Sequence, residues 1–351
     1  MYKAISRILV RGRRSELLRC SVTHRDVVTA EDRSGKPSKV ANLKKYWLDK
    51  YVNYIKNYER TLEKKFPRTM QVYRVFSVGS KDVYTDVRTC FSTYTSMIKH
   101  GNDIMDSFTL KELQLMHTVP KDLRKLLPVF LLSAIPFANY IIFPLAFYFP
   151  RYLLTSHYWT LQQKLEFMLY DHKRRLWHNK PLFRCMQTEF GTIKDQKLRM
   201  KWQDAIACLG SGTHPSTKDI IACCELFSGP PYSLNALKRK HLKELLAIHG
   251  MPVWRPFKRK RLMERGMLIL RMDRAIVREG GVKAMSNEAM RWALSFRGVN
   301  PANMSLESMR NWLEQWLEVS AIVDTNNISL LLHSPILLAY NHSTNWILIY
   351  S

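Results

Sequence analysis

The residues best suited to chemistry lie in two short basic runs, at 238–240 and 255–261. Lysine and arginine near phosphate release counterions and bind without reading sequence, and Trp254 and Phe257 could stack on exposed bases. The pattern therefore predicts an anion-binding or RNA-binding surface. A solvated helix start with both aromatic side chains packed inward stays open as an alternative, as does a nuclear-localisation signal. The candidate binding residues are Lys238, Arg239, Lys240, Arg255, Lys258, Arg259, Lys260 and Arg261.

Enzymatic chemistry has no comparable pattern in the sequence. No Ser-His-Asp arrangement, paired carboxylates, Walker loop or dinucleotide fingerprint stands out. None of the six cysteines forms a CxxC pair or takes zinc-ligand spacing with a histidine. The sequence therefore predicts a protein that is not an enzyme, with no catalytic residues, no metal site and no cofactor.

An uncharged stretch, LLPVFLLSAIPFANYIIFPLAFYFP, occupies residues 126–150. A helix rises about 1.5 Å per residue, so about 20 apolar residues cross the ~30 Å hydrocarbon core of a bilayer. The stretch predicts a single transmembrane helix in preference to a buried core segment. Pro128 lies at its first turn, whereas Pro136 and Pro144 are interior and are expected to kink it. Asn139 is interpreted as a contact between packed helices, which favours oligomerisation through the span.

Charge is shared evenly on the two sides of this stretch. The net charge is +26, with 26 Lys+Arg and 13 Asp+Glu in residues 1–125 and 29 and 16 in residues 151–351, or +13 on each side. The positive-inside rule depends on asymmetry, so charge does not orient the span. The basic surplus favours anionic partners such as cardiolipin-type lipids, phosphates or RNA.

The first 25 residues carry seven Lys/Arg, a single acid and no long apolar run. This composition is typical of a mitochondrial transit peptide rather than a secretory signal, with a solvated basic arm as the alternative. Residues 1–40 are therefore predicted to be a transit peptide and linker.

The remaining sequence has helical spacing and no sustained strand alternation, which predicts an all-α protein. Capping boxes at Thr109 and Thr160 predict two helix starts, and the first of these helices is expected to be interrupted near Pro120. Residues 41–125 form the predicted N-terminal helical region, residues 151–335 the C-terminal helical domain, and residues 336–351 a C-terminal tail.

Residues 105–335 resemble the LETM-domain family, named for the leucine-zipper and EF-hand transmembrane protein of the inner mitochondrial membrane. Ile135-Pro136-Phe137 and Phe149-Pro150 match its proline-kinked span. The chain has no EF-hand loop, as in the short branch of the family. Its ribosome-binding-like domain is matched at Leu237, Leu242, Leu245, Asp273, Ile276, Glu279-Gly280, Arg297-Gly298, Arg310, Leu313 and Trp316-Leu317.

The resemblance implies a single-pass protein of the mitochondrial inner membrane with its C-terminal domain in the matrix. That domain would bind mitochondrial ribosomes or act as an interaction module that supports mitochondrial organisation and respiratory-chain function. The alternative is a cation/proton transporter or a regulator of ion homeostasis. Exchanger members carry an acid where this chain has Asn139 and a lysine where it has Phe147, and an amide cannot titrate. A secondary nuclear pool is a third possibility.

Overall fold

Helices make up every regular element in the computed structural model, which describes residues 67–101, 105–133, 135 and 138–350. Within these residues no strand occurs, so the all-α prediction is confirmed. The predicted transit peptide and linker, and the start of the N-terminal helical region, lie outside the described residues. Residues Tyr73–Ser351 fold as one unit.

The helices of the described residues are numbered here in chain order. They are α1 (Pro67–His100), α2 (Leu110–Ser133), α3 (Asn139–Tyr148), α4 (Pro150–Leu153), α5 (Leu161–Leu176), α6 (Asn179–Thr188), α7 (Gln196–Gly210), α8 (Thr217–Ala222), α9 (Glu225–Ser228), α10 (Arg239–Ile248), α11 (Lys258–Arg278), α12 (Asn287–Arg297), α13 (Leu306–Ala321), α14 (Ile328–Ala339) and α15 (Ser343–Tyr350). Short 3-10 helices lie at Ser156–Tyr158, Phe190–Thr192 and Val282–Ala284.

Helix α14 is the centre of the core, and every one of its residues is buried. Most of its side chains are apolar and its few polar ones bond inside the protein, so no face of it suits water and other helices must surround it. Helix α11 packs closest along it, because Gly266 has no side chain there. A Cβ at that position would lie 2.6 Å from Ile328 Cγ1.

The segment 336–351, predicted as a tail, contributes the last turn of α14 and the whole of α15. Asn345 anchors α15 from a fully buried position. Its amide nitrogen donates to the carbonyls of Gly298 at 3.0 Å and Ala339 at 2.8 Å. Its amide oxygen accepts from the Asn300 backbone at 2.9 Å and lies 3.1 Å from His172 Nε2. The packing of this segment could not be recognised, because its apolar residues, divided by the polar run 341–345, show no helical period.

The first half of α2 packs into the same core as the helices that follow residue 151. Leu110, Leu113 and Met116 belong to one buried cluster with residues of α6 to α14. Polar contacts reinforce this packing, since Glu279 Oε1 accepts from the Leu110 amide at 2.6 Å. Residues before and after the uncharged stretch therefore fold together.

The uncharged stretch itself is divided between two main helices. Helix α2 continues through Pro120 and Pro128 to Ser133, and α3 begins at Asn139 with Pro144 inside it. The predicted interruption near Pro120 is therefore wrong, and Pro128 lies deep in a helix rather than at a first turn. Packing of Leu115, Met116 and Val119 in the core holds the helix through this point.

No helix among the described residues combines the length and apolar character needed to cross a bilayer. The predicted single transmembrane helix is therefore not confirmed. Pro136 lies outside the described residues.

The two ends of the stretch meet, because Lys125 Nζ donates to the Arg151 carbonyl at 3.3 Å and lies 5.4 Å from the Trp159 ring centroid.

One buried ion pair joins three helices. Asp273 of α11 accepts from Arg297 Nε of α12 at 3.1 Å, and from Trp316 Nε1 at 3.0 Å and Ser320 Oγ at 2.6 Å, both on α13. Arg297 is fully buried and also donates to the Ala293 carbonyl at 2.9 Å. Each carboxylate oxygen thus has a partner, which is the condition under which a buried pair is tolerated.

Asp273→Asn is expected to lower the free energy of unfolding by about 3–5 kcal/mol, because it leaves the Arg297 charge buried without a counter-charge. Denaturant titration of the full-length chain in detergent measures this change. Asp171→Asn is the matched control, since that carboxylate is 63% exposed in its pair with Arg151. The control is expected to cost no more than about 1 kcal/mol, and equal losses in the two variants would contradict the assignment.

A pair of neutral histidines connects α10 to α14. His241 Nε2 and His333 Nε2 are 2.8 Å apart, and His333 Nδ1 lies 2.7 Å from the Ser329 carbonyl. The short contact needs one unprotonated ring nitrogen, so we assign the Nδ1–H tautomer to His333 and a donating Nε2–H to His241. Burial lowers the pKa of His333 to about 4, and burial followed by the neighbouring His333 lowers the pKa of His241 to about 2.

Stability is therefore expected to fall as the pH drops from 6.5 towards 4, because in this range these histidines bind protons in the unfolded state but stay largely neutral in the folded state. For His333 the loss at pH 5 is roughly 2 kcal/mol. Denaturant midpoints of the full-length chain between pH 4.5 and 7.5 measure it. His333→Gln is expected to make the slope shallower, whereas His100→Gln, at an exposed site, keeps it. A wild-type stability independent of pH in this range would refute the prediction.

Candidate anion-binding surface

The two basic runs, separated in sequence, meet at one open cavity of about 580 Å³. Arg239 comes from the start of α10, and Lys258, Arg259 and Lys260 come from the first turn of α11. We call this cavity the basic groove. Its lining residues are Arg239, Leu242, Pro256, Phe257, Lys258, Arg259 and Lys260.

The start of α11 strengthens the positive field of the groove. No acidic residue lies in its first turn, and Phe257 at the N-cap provides no side-chain hydrogen bond. The first amides of a helix lack intrahelical partners and carry partial positive charge, so they attract anions. Basic side chains at this end are repelled by the helix dipole, so they lower the stability of the helix. The same positive charge attracts an anionic ligand.

Two aromatic side chains project into solvent beside the groove. Trp254 is 80% exposed and Phe257 is 77% exposed. The Arg255 guanidinium lies 5.2 Å from the Trp254 ring centroid. The alternative in which both aromatic residues pack inward is therefore wrong, and each ring has exposed surface on which a base could stack.

Three of the eight candidate cations are occupied with positioning the local chain. Arg259 donates to the carbonyls of Leu234 at 3.2 Å and Leu237 at 3.0 Å, which ties α11 to the loop before α10. Lys238 Nζ pairs with Glu189 at 2.7 Å. Arg261 donates to the Arg255 carbonyl at 3.4 Å, and burial followed by the charge of Arg255 lowers its pKa.

The other groove cations are available to a ligand. Arg239 and Lys260 are exposed and Lys258 is half-buried. None of the three takes part in an ion pair with any residue in the described part of the chain. Lys240 is also exposed but does not line the cavity. The groove can therefore offer three cations without ion-pair partners in the described part of the chain to phosphate groups.

A second group of cations, which sequence reasoning missed, lies in the interior. Arg175 donates to the carbonyls of Ile248 at 2.7 Å and Ser295 at 2.8 Å, near the ends of α10 and α12. Arg265 donates to the His249 carbonyl at 2.9 Å, and its Nη1 lies 2.9 Å from His117 Nε2 of α2. Cations are stabilised at helix C-termini. These arginines therefore fasten the ends of α10 and α12 to α5, α11 and α2, and no sequence spacing could have indicated it.

These features define the class of the protein: an all-helical protein with an uncharged apolar segment and a basic groove flanked by exposed aromatic residues. The sequence model of the family described as "LETM1-like, RBD" matches residues 108–337. The chain belongs to this LETM1-like family, which confirms the resemblance carried by its motifs.

Relatives from three vertebrates share most of their length with the chain. LETM1 domain-containing protein 1 of Homo sapiens is 30% identical over 307 residues, which cover 86% of this chain and 84% of that protein. The protein of the same description from Xenopus tropicalis is 29% identical over 295 residues, covering 84% and 83%. The one from Bos taurus is 29% identical over 287 residues, covering 81% and 79%.

Phe257 adopts a left-handed backbone conformation with φ of 56°, which a side chain makes costly. Phe257→Gly is expected to be more stable than Phe257→Ala by about 1 kcal/mol, because glycine lacks the Cβ that is strained there. Neither variant loses buried area, since the ring is exposed. Thermal unfolding of the two variants measures the difference, and a lower midpoint for the glycine variant would show that no strain is stored at this residue.

Proposed function

We propose that this protein is attached to the mitochondrial inner membrane and that its matrix-side helical domain binds mitochondrial ribosomes through the basic groove. The observation that carries the proposal is the exposure of Trp254 and Phe257 beside Arg239, Lys258 and Lys260. The family description, with its RBD designation, supports a ribosome-directed role. By holding ribosomes near the membrane, the protein would support respiratory-chain assembly and mitochondrial organisation.

The composition of the groove suits ribosomal RNA better than an acidic peptide. Lysine and arginine attract any polyanion, but stacking on exposed aromatic faces selects unstacked bases, which RNA loops present. The groove has no pattern of paired donors that would read a base sequence. Binding would therefore depend on salt and on RNA shape rather than on one sequence.

Membrane attachment would come from the uncharged residues 126–150. Arg124, Lys125 and Arg151 flank this stretch and would favour anionic lipids such as cardiolipin. Oligomerisation through the stretch, with Asn139 as a contact, remains a further proposal. A ribosome-binding domain attached at this point would stay close to the bilayer.

Neutralising the three available groove cations is expected to weaken ribosome binding selectively. The test compares the triple variant Arg239→Gln, Lys258→Gln, Lys260→Gln with the wild-type full-length chain in co-sedimentation with mitochondrial ribosomes. Each lost phosphate contact reduces the slope of log K against log salt by about 0.7–0.9, so the slope is expected to become shallower by about 2. Arg259 is kept because it holds the local fold.

The matched control carries Lys194→Gln, Lys197→Gln and Lys201→Gln, which remove the same charge from exposed positions near and within α7. It is expected to bind as the wild type does. Equal losses in both triple variants would mean that net charge alone governs binding and that the groove is not the site. A wild-type chain that fails to sediment with ribosomes would remove the proposed function.

A further inference from the structure

We infer that residues 126–150 enter a single leaflet of an anionic bilayer as a helical hairpin, so that both flanking segments stay on the same side of the membrane. The inference rests on the membrane attachment in the proposed function and specifies its geometry. In place of a single crossing of the whole bilayer, the stretch would contact only one lipid leaflet and its headgroups.

The segments before and after the stretch share one hydrophobic core. Leu110, Leu113 and Met116 precede the stretch, yet they are buried in one cluster with helices that follow it. A chain that crossed the bilayer once between Lys125 and Arg151 would place these side chains and their partners on opposite sides. Such a crossing would expose the core of the domain to water on one face.

Polar contacts across the same junction lead to the same result. Arg271 Nε donates to Asp106 Oδ1 at 3.2 Å, and Arg278 donates to the carbonyls of Asp106 and Phe108. Further along the chain, His157 Nε2 lies 2.9 Å from Asp86 Oδ2 of α1. These contacts join residues before the stretch to residues after it, so they all require one side of the membrane.

The path of the stretch begins and ends at the same place on the domain. It leaves the domain with α2, which ends at Ser133, and returns with α3 to α4, both of which contact α2. At the end of α2, the Leu132 carbonyl accepts from the Ile135 amide at 3.1 Å. At its base, Lys125 Nζ reaches the Arg151 carbonyl at 3.3 Å. The entry and the exit of the hairpin are thus side by side.

The length of each helical arm of the hairpin is close to half the thickness of the hydrocarbon core. Residues 126–133 of α2 and the ten residues of α3 rise about 12 Å and about 15 Å at 1.5 Å per residue. Half of a ~30 Å hydrocarbon core is about 15 Å. The hairpin therefore reaches about the middle of the bilayer and no further.

Much of the hairpin surface that the structure describes is apolar and exposed. Large apolar side chains are exposed on both of its helices, and clustered exposed apolar side chains mark a membrane or protein interaction site. They include Leu127, Phe130, Leu131, Ile141, Leu145 and Phe147.

The residues at the base suit the headgroup region. Tyr148 and Tyr152 are exposed where α3 meets α4, and amphipathic rings prefer that depth. Arg124 and Lys125 lie at the other arm and would contact anionic headgroups.

The test uses the full-length chain in liposomes of phosphatidylcholine and cardiolipin. One protease recognition sequence is inserted after Gly101 and a second, different one after Gly212, both in exposed turns with open space around them. Intact vesicles are treated with both proteases together, and detergent-solubilised vesicles show that each inserted sequence can be cut. The hairpin predicts that single chains are cut at both sites in intact vesicles, and that the fragment between the sites stays with the vesicles because it carries residues 126–150. If each chain is cut at one site or the other but never at both, the flanks lie on opposite sides and the inference is wrong.

A flotation assay separates this outcome from failure of the proposed function. Ile141→Asp is expected to lower partition into the liposomes about tenfold or more, because an ionised carboxylate is costly in hydrocarbon. Val277→Asp, at an exposed apolar site of α11, is the matched control and is expected to float as the wild type does.

A wild-type chain that does not float would overturn both the attachment and the hairpin. Flotation with cleavage from opposite sides would overturn the hairpin alone. If Ile141→Asp dissociates an oligomer seen by light scattering while flotation stays unchanged, the apolar surface joins copies of the chain and the inference fails.

Discussion

The packing of the first half of α2 against α11 and the central core is the constraint on which the rest of the structure depends. Leu110, Leu113 and Met116 leave water only because the helices after residue 151 cover them. The same helix continues past Leu126 into the uncharged stretch. The position of the apolar hairpin is therefore fixed by the core of the domain, and the two cannot move independently without exposing buried area.

Interior polar groups give this core a defined arrangement. A core of leucine and isoleucine alone would tolerate several packings of α11 to α14, because apolar contacts have little directional preference. Asp273 removes that freedom, since its two oxygens need Arg297, Trp316 and Ser320 at the same time. The half-buried Arg175 and the buried Arg265 act similarly at the ends of α10 and α12.

The sequence was sufficient where local rules decide the structure. The capping boxes form as predicted, with Glu112 bound to the Thr109 amide and Gln163 to the Thr160 amide. The basic runs could be located, but their meeting in one groove depends on how α10 and α11 pack. Pro120 was misjudged because tertiary packing overrides the local preference of proline. The burial of α14 was missed because its polar residues, Ser329, His333 and Ser334, are too few among apolar neighbours to mark a helical period.

The groove illustrates why a binding surface of this kind weakens the structure that carries it. Four basic side chains follow one another at the start of α11, where the helix dipole and mutual repulsion both disfavour cations. Phe257 adds a strained backbone conformation to keep its ring in solvent. An anion in the groove would relieve the repulsion, and by linkage any ligand that binds the folded state stabilises it. Local instability and affinity for phosphate thus have the same origin, which is why a sequence optimised only for stability would not retain this arrangement.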